Sequence, residues 1–273
     1  MEMFFYGFMQ RAFQASTLIA IIAPILGLIL ILRRQSLMAD TLSHVSLAGV
    51  ALGMLVGVNP TVTTILIVIV AAIGIEYLGV IYKGYSEISI AILMATGMAV
   101  ALVLMSFVSG KETTSVEQFL FGSIVTINQS QIIILSVLTV VIVGLYLIFR
   151  KPLYVLLFDE DTAWTAGLPV RGMSLFISIL TGVVISVIMP ITGSLLVSSI
   201  LILPAAIALR LVTSFQMVIA VGIMISLIGM YGGLITSYQL GTPPGATITL
   251  MFVGLFILTS ILKIKKKPNK TER

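Results

Sequence analysis

Apolar runs of about twenty residues recur from end to end of this chain, and a helix of that length is what crosses the ~30 Å hydrocarbon core of a bilayer. Backbone N–H and C=O groups find no water there, so only helices or closed barrels satisfy them. The runs are continuous rather than alternating, which argues against a barrel. Charged residues make up 9% of the chain and hydrophobic ones 59%, against a charged share of roughly 25% in soluble domains. Mean hydropathy is +1.21. The expected fold class is all-α: a polytopic membrane protein with 8–9 transmembrane helices, forming a single transmembrane domain over residues 1–273.

The runs give candidate spans at approximately 12–32, 41–58, 61–82, 88–109, 131–150, 173–190, 194–212, 215–237 and 245–262. The first is longer than a signal-peptide core and lacks a small-residue cleavage site, so it reads as a retained span. Arginine and lysine gather in alternate connections, at Arg33-Arg34, Lys83, Arg150-Lys151 with Arg171, Arg210, and the tail 263–273. The positive-inside rule makes those cytoplasmic. The opposite connections carry turn signals: Val58-Asn59-Pro60, Met189-Pro190-Ile191-Thr192-Gly193 and Gly241-Thr242-Pro243-Pro244-Gly245. Lys111, beside Glu112, is the exception. Nine spans place the N-terminus outside, and eight place both ends inside. Residues 118–127 are apolar but too short to cross, which suits a re-entrant or interfacial piece.

The net charge of +5 comes largely from the tail, read as a cytoplasmic, lipid-facing end rather than a nucleic-acid site. There is no cysteine, hence no disulfide and no thiolate metal ligand.

The single histidine, His44, stands four residues after Asp40. On a helix that spacing puts both side chains on one face, about 6 Å apart along the axis. A carboxylate and an imidazole are costly in apolar surroundings, and both ligate divalent metals. Gly49, Gly53 and Gly57 form a small-residue stripe on another side of the same helix, where a neighbouring helix can approach closely. The bland alternative makes Asp40 a helix cap and His44 a hydrogen-bond donor to nearby backbone. Two ligands fall short of the four usual for zinc, but a two-fold dimer would supply two of each. The donor set admits Zn²⁺, Mn²⁺ or Fe²⁺.

Between Lys151 and Met173 lies the longest mixed-polarity connection. Asp159, Glu160 and Asp161, followed by Ala163 and the single Trp, Trp164, then Gly167-Leu168-Pro169, predict a short helix. The acids sit at its favourable end and Gly167 with Pro169 stops it. Such a helix suits either a membrane-surface anchor or docking to a partner protein. No Gly-x-x-x-x-Gly-Lys-[Ser/Thr] loop occurs, so ATP-driven work would need a separate polypeptide.

Taken together, Leu32 to Gly49, Phe158 to Ala163 with Gly167 to Val170, Gly193 to Ala206, and Pro244 to Ile248 resemble the integral-membrane permeases of zinc/manganese uptake ABC transporters. The likeness spans nearly the whole chain and is nearest to Gram-positive zinc permeases. It implies an importer permease fold of the metal-chelate/vitamin B12 type in a bacterial cytoplasmic membrane. It also implies a homodimer, two cytoplasmic ATPase subunits, an extracellular metal-delivering lipoprotein, and zinc or manganese as cargo with no permanently bound cofactor. In that family Asp40 and His44 correspond to metal-coordinating positions, and about 158–170 to the helix that couples to the ATPase, including Phe158, Asp159, Glu160, Asp161, Ala163, Gly167, Leu168 and Pro169.

Other features carry plainer expectations. Pro204 should bend or break its span, with Ser194, Ser198 and Ser199 bonding freed backbone or facing a pathway. Glu76 is expected to snorkel or pair locally, Glu87 to sit at a helix start, and the fourteen methionines to be core or lipid-facing. An ion-gradient transporter acting alone is the main competitor, though few intramembrane acids are available for a proton relay. An intramembrane metalloprotease needs His-Glu-x-x-His, which one histidine cannot supply.

Overall fold

A computed structural model describes residues 5–82, 86–108, 119–123 and 127–265. The basic tail beyond Lys265, Lys83, Lys111 and parts of the 118–127 segment lie outside the described residues. The helices, in chain order, are α1 (Gly7–Leu32), α2 (Leu37–Val56), α3 (Pro60–Ile81), α4 (Ser86–Phe107), α5 (Gln129–Phe158), α6 (Glu160–Thr165), α7 (Val170–Thr192), α8 (Val197–Leu211), α9 (Phe215–Leu240) and α10 (Pro244–Lys265). No strand occurs among the described residues.

Among the described residues eight helices are long and apolar enough to cross a membrane. The expected span 194–212 differs: α8 has 15 residues, about 22 Å, and is preceded by a break over 193–196. It still joins the two ends of the bundle. Just before it, Leu196 lies against Gly245 at the start of α10. Just after it, Phe215 packs on Tyr154 and Phe158 at the far end of α5. The described residues therefore pass between the two ends nine times, eight long helices plus α8. Its first helix begins at the end opposite the 159–169 connection, where Arg11 donates to the Ile127 carbonyl. Arg33, Arg34, Arg150, Lys151 and Arg171 all lie at the connection's end, which identifies it as cytoplasmic. α8 runs through Pro204 without ending there.

The break is built from two stretches of backbone in contact, residues 119–122 and 192–195. Ser194 N–H donates to the Phe119 carbonyl at 2.8 Å and Leu195 N–H to Leu120 at 3.4 Å. Gly122 and Gly193 face each other there with φ of 75° and 88°. A Cβ on either would stand within 2.5 Å of the facing backbone, so only glycine fits. These contacts seat residues 119–122 against the start of α8.

α1, α2 and α7 are the most buried spans, and α2 packs against α3, α4, α7 and α8. A Cβ on Gly49 would come 2.5 Å from Thr64 Cα, and one on Gly53 2.8 Å from Pro60 Cα. α2 and α3 thus touch backbone to backbone, and Thr63 Oγ1 donates across to the Gly49 carbonyl at 2.8 Å. Gly57 departs from the expected stripe. It has open space around it and φ of 74°, and its N–H bonds the Gly53 carbonyl. It is the left-handed residue that ends α2 rather than a packing position. Gly97 of α4, against Val45, and Gly182 of α7, against Val68, close the remaining sides.

Candidate metal centre

Asp40 lies in the first turn of α2 and His44 one turn on. Ser36 occupies the cap position. Asp40 Oδ2 stands 3.7 Å from His44 Nε2, and Ser198 Oγ, on the first turn of α8, donates to Asp40 Oδ1 at 3.4 Å. His44 Nδ1 is buried with no hydrogen-bond partner, so the expected bond from the imidazole to nearby backbone is not formed. The Asp40 side chain is 32% exposed and that of His44 11%. The pair therefore opens toward Asp40. Ser194 Oγ, in the break before α8, is also buried without a partner. By contrast Ser43 and Ser46 of α2 donate to carbonyls one turn back, which leaves them no free donor.

Two oxygen or nitrogen ligands of one tetrahedral zinc, each about 2.0–2.2 Å from the ion, stand roughly 3.4 Å apart. The 3.7 Å between Asp40 and His44 is close to that separation. Among the described residues no group of three or more His, Cys, Asp or Glu forms a fuller set.

A second polar cluster sits at the cytoplasmic end. Glu76 of α3 accepts from Arg33 at 3.3 Å, from Ser174 Oγ at 2.7 Å and from Ser178 Oγ at 2.5 Å. Arg33 also donates to the Ser174 hydroxyl and, at 3.4 Å, to the Ser174 carbonyl. The local pairing expected for Glu76 is thus formed, and it ties α1, α3 and α7 together. The sequence reading missed its partners Ser174 and Ser178. Their spacing of four residues, one helical turn, was the available signal.

The 159–169 connection folds as its residues dictate. Asp159 caps α6, accepting from Thr162 N–H at 3.0 Å and from the Thr162 hydroxyl at 2.5 Å. These bonds to Thr162 hold its carboxyl below the ordinary carboxylate range. Gly167, at φ 78°, ends the helix: its N–H bonds Trp164 and the Leu168 N–H bonds Ala163, a Schellman closure. The helix proper is six residues, shorter than the expected 158–170, because Phe158 ends α5 and Pro169 is the cap residue before α7. Glu160, Asp161, Trp164 and Phe158 are exposed, while Ala163 is buried beneath them.

Nine passes among the described residues, a break before the seventh of them and a short cytoplasmic helix between two long spans make this a membrane permease of the ABC importer type. The chain belongs to the ABC 3 transport family, which it matches over residues 5–263. It is similar to the solved structure of PsaBC from Streptococcus pneumoniae in complex with Fab, with a TM-score of 0.83 and 28% identity over 96% of both chains. Among curated relatives, a "Probable metal transport system membrane protein" of Treponema pallidum is 32% identical over 94% of this chain and 96% of that one. The manganese transport system membrane protein MntC of Listeria innocua is 29% identical over 96% and 92%. The high-affinity zinc uptake system membrane protein ZnuB of Haemophilus influenzae is 25% identical over 88% and 92%.

Proposed function

We propose that this chain is the permease of an ATP-driven importer that carries a divalent metal, zinc, across the cytoplasmic membrane, with Asp40 and His44 touching the ion in transit. The observation that carries this reading is the 3.7 Å approach of Asp40 Oδ2 to His44 Nε2 within the spanning region, with the imidazole's other nitrogen unbonded. The carboxylate supplies charge and the imidazole a borderline nitrogen donor, a combination that suits zinc. Two protein ligands hold an ion weakly enough to release it. A second copy of the chain across a two-fold axis, at the side where Asp40 is exposed, raises the set to four. The short helix 160–165 with Phe158 and Leu168 is the docking point for a separate ATPase subunit, and an extracellular lipoprotein delivers the metal. The whole chain acts as one transmembrane domain.

Manganese is the second reading, favoured by the similarity to MntC and chemically open to the same donors. The test is growth rescue by the complete transporter in zinc-poor and in manganese-poor medium, with Asp40→Ala and His44→Ala beside the wild type. Rescue in zinc-poor medium, lost in both variants at normal membrane levels, is expected. Rescue confined to manganese limitation overturns the choice of zinc. Wild-type rescue by both variants overturns the site. Metal uptake into liposomes by the permease alone overturns the ATP-driven reading.

A further inference from the structure

α5 is longer than a bilayer core requires. From Gln129 to Arg150 it rises ~32 Å, about the whole hydrocarbon thickness of ~30 Å. Arg150 and Lys151 therefore fall at the headgroup level of the cytoplasmic leaflet, and the last two turns of α5 project beyond it. There α5 and the start of α9 enclose a cleft of about 560 Å³, a volume typical of ligand sites. Its floor is aromatic. The Phe215 ring lies 6.4 Å from Tyr146, 5.6 Å from Tyr154 and 6.3 Å from Phe158, centroid to centroid. Its rim holds Arg150 and Lys151 with the hydroxyls of Thr213 and Ser214.

The charge on this cleft is one-sided. No carboxylate lines it, and neither cation has an acidic partner among the described residues. The neighbouring cytoplasmic cavities are balanced: one sets Arg33, Arg34 and Arg171 against Glu76 and Glu160, another Arg171 against Glu160 and Asp161. The cleft also continues into the membrane. Val140 and Leu147, 72% and 57% exposed, share a helix face with Lys151 and Tyr154 through spacings of seven, eleven and fourteen residues. An anion bound here thus has an apolar track directly above it. A free phosphate makes no use of that track, whereas an acyl chain does. Tyrosines at this depth present a ring to the chain and a hydroxyl to the headgroup.

We propose that this cleft binds the phosphodiester headgroup of an anionic phospholipid of the cytoplasmic leaflet. Arg150 and Lys151 contact the phosphate, Tyr146 and Tyr154 flank it, and an acyl chain lies along Leu147 and Val140. The assignment is independent of the metal cargo. The test is native mass spectrometry of the full-length permease released from vesicles of phosphatidylglycerol mixed with phosphatidylcholine, for the wild type, Arg150→Gln, Lys151→Gln and the double variant. At about fivefold per surface cation, each single variant should retain phosphatidylglycerol about fivefold more weakly and the double variant ~25-fold, with phosphatidylcholine retention unchanged. High salt should release the lipid from the wild type without any substitution, a readout that does not depend on how the variants fold. Equal retention by the wild type and the double variant overturns the proposal. Displacement by millimolar inorganic phosphate overturns the lipid as the source of the anion. Full lipid retention with loss of ATPase binding overturns it in favour of an acidic protein surface.

Discussion

The molecule holds two polar clusters among its spans, and they are built in opposite ways. Around Glu76 every oxygen is used: one guanidinium and two serine hydroxyls converge on the carboxylate. Around Asp40 the contacts are long, at 3.4 and 3.7 Å, and one imidazole nitrogen has no partner. In hydrocarbon an unsatisfied polar group is expensive. A cluster that only joins helices is expected to saturate itself, as the Glu76 cluster does. On the proposed reading the Asp40 cluster accepts and releases an ion, which requires donors left open.

The contrast is sharpest in transport. Partners outside the ligand sphere are worth ~10–100-fold in metal affinity, so losing a ligand should cost more. Asp40→Ala and His44→Ala should each reduce radiometal uptake by more than ~100-fold while the melting temperature of the purified permease stays within a few degrees. Glu76→Ala should do the reverse. Losing charged hydrogen bonds costs about 1–3 kcal/mol, so thermal unfolding should shift down clearly, with uptake per folded molecule nearly intact. If Glu76→Ala instead folds normally and abolishes uptake, the division between the two clusters fails.

Ser198 tests the border between them. It touches Asp40 through a long bond of 3.4 Å, so Ser198→Ala should weaken uptake by ~10-fold, the low end for such partners, read as a higher half-saturating metal concentration. An effect as large as that of His44→Ala would make Ser198 part of the ligand set.

The smallest effect belongs to Asp159, an anion saturated by its own helix. Its lowered folded-state pKa means that its cap stabilises α6 above the unfolded carboxylate value of about 4 and is lost as pH falls through the lower folded value. Amide exchange at Thr162 should therefore be slow at neutral pH, once corrected for intrinsic rates, and protection should fall only at strongly acid pH. Asp159→Asn keeps a capping oxygen and should remove that acid limb.

Much of this was legible from the sequence because it depends on local periodicity. The spans follow from continuous apolar runs, the shared face of Asp40 and His44 from a four-residue spacing, and the end of α6 from Gly167 and Pro169. What could not be read depends on how helices meet. Gly97 and Gly182 are scattered in sequence, and only their contacts with Val45 and Val68 show that α4 closes on α2 and α7 on α3. Gly57 had the spacing of a packing residue, but the turn into Pro60 needed a left-handed backbone there instead. The 194–212 span looked like an ordinary helix because Gly193-Ser-Leu-Leu is nearly as apolar as its neighbours. The backbone bonds that break it come from Phe119 and Leu120, some seventy-five residues away.

That clasp has a consequence for how the protein is made. Phe119 and Leu120 leave the ribosome well before Ser194, and their carbonyls have no clasp partner until the chain beyond α7 has followed. The protein is therefore not assembled as a string of spans that each settle on arrival. The carbonyls of Phe119 and Leu120 gain these partners only from a stretch some seventy-five residues later. A nascent chain halted after α7 would lack the clasp.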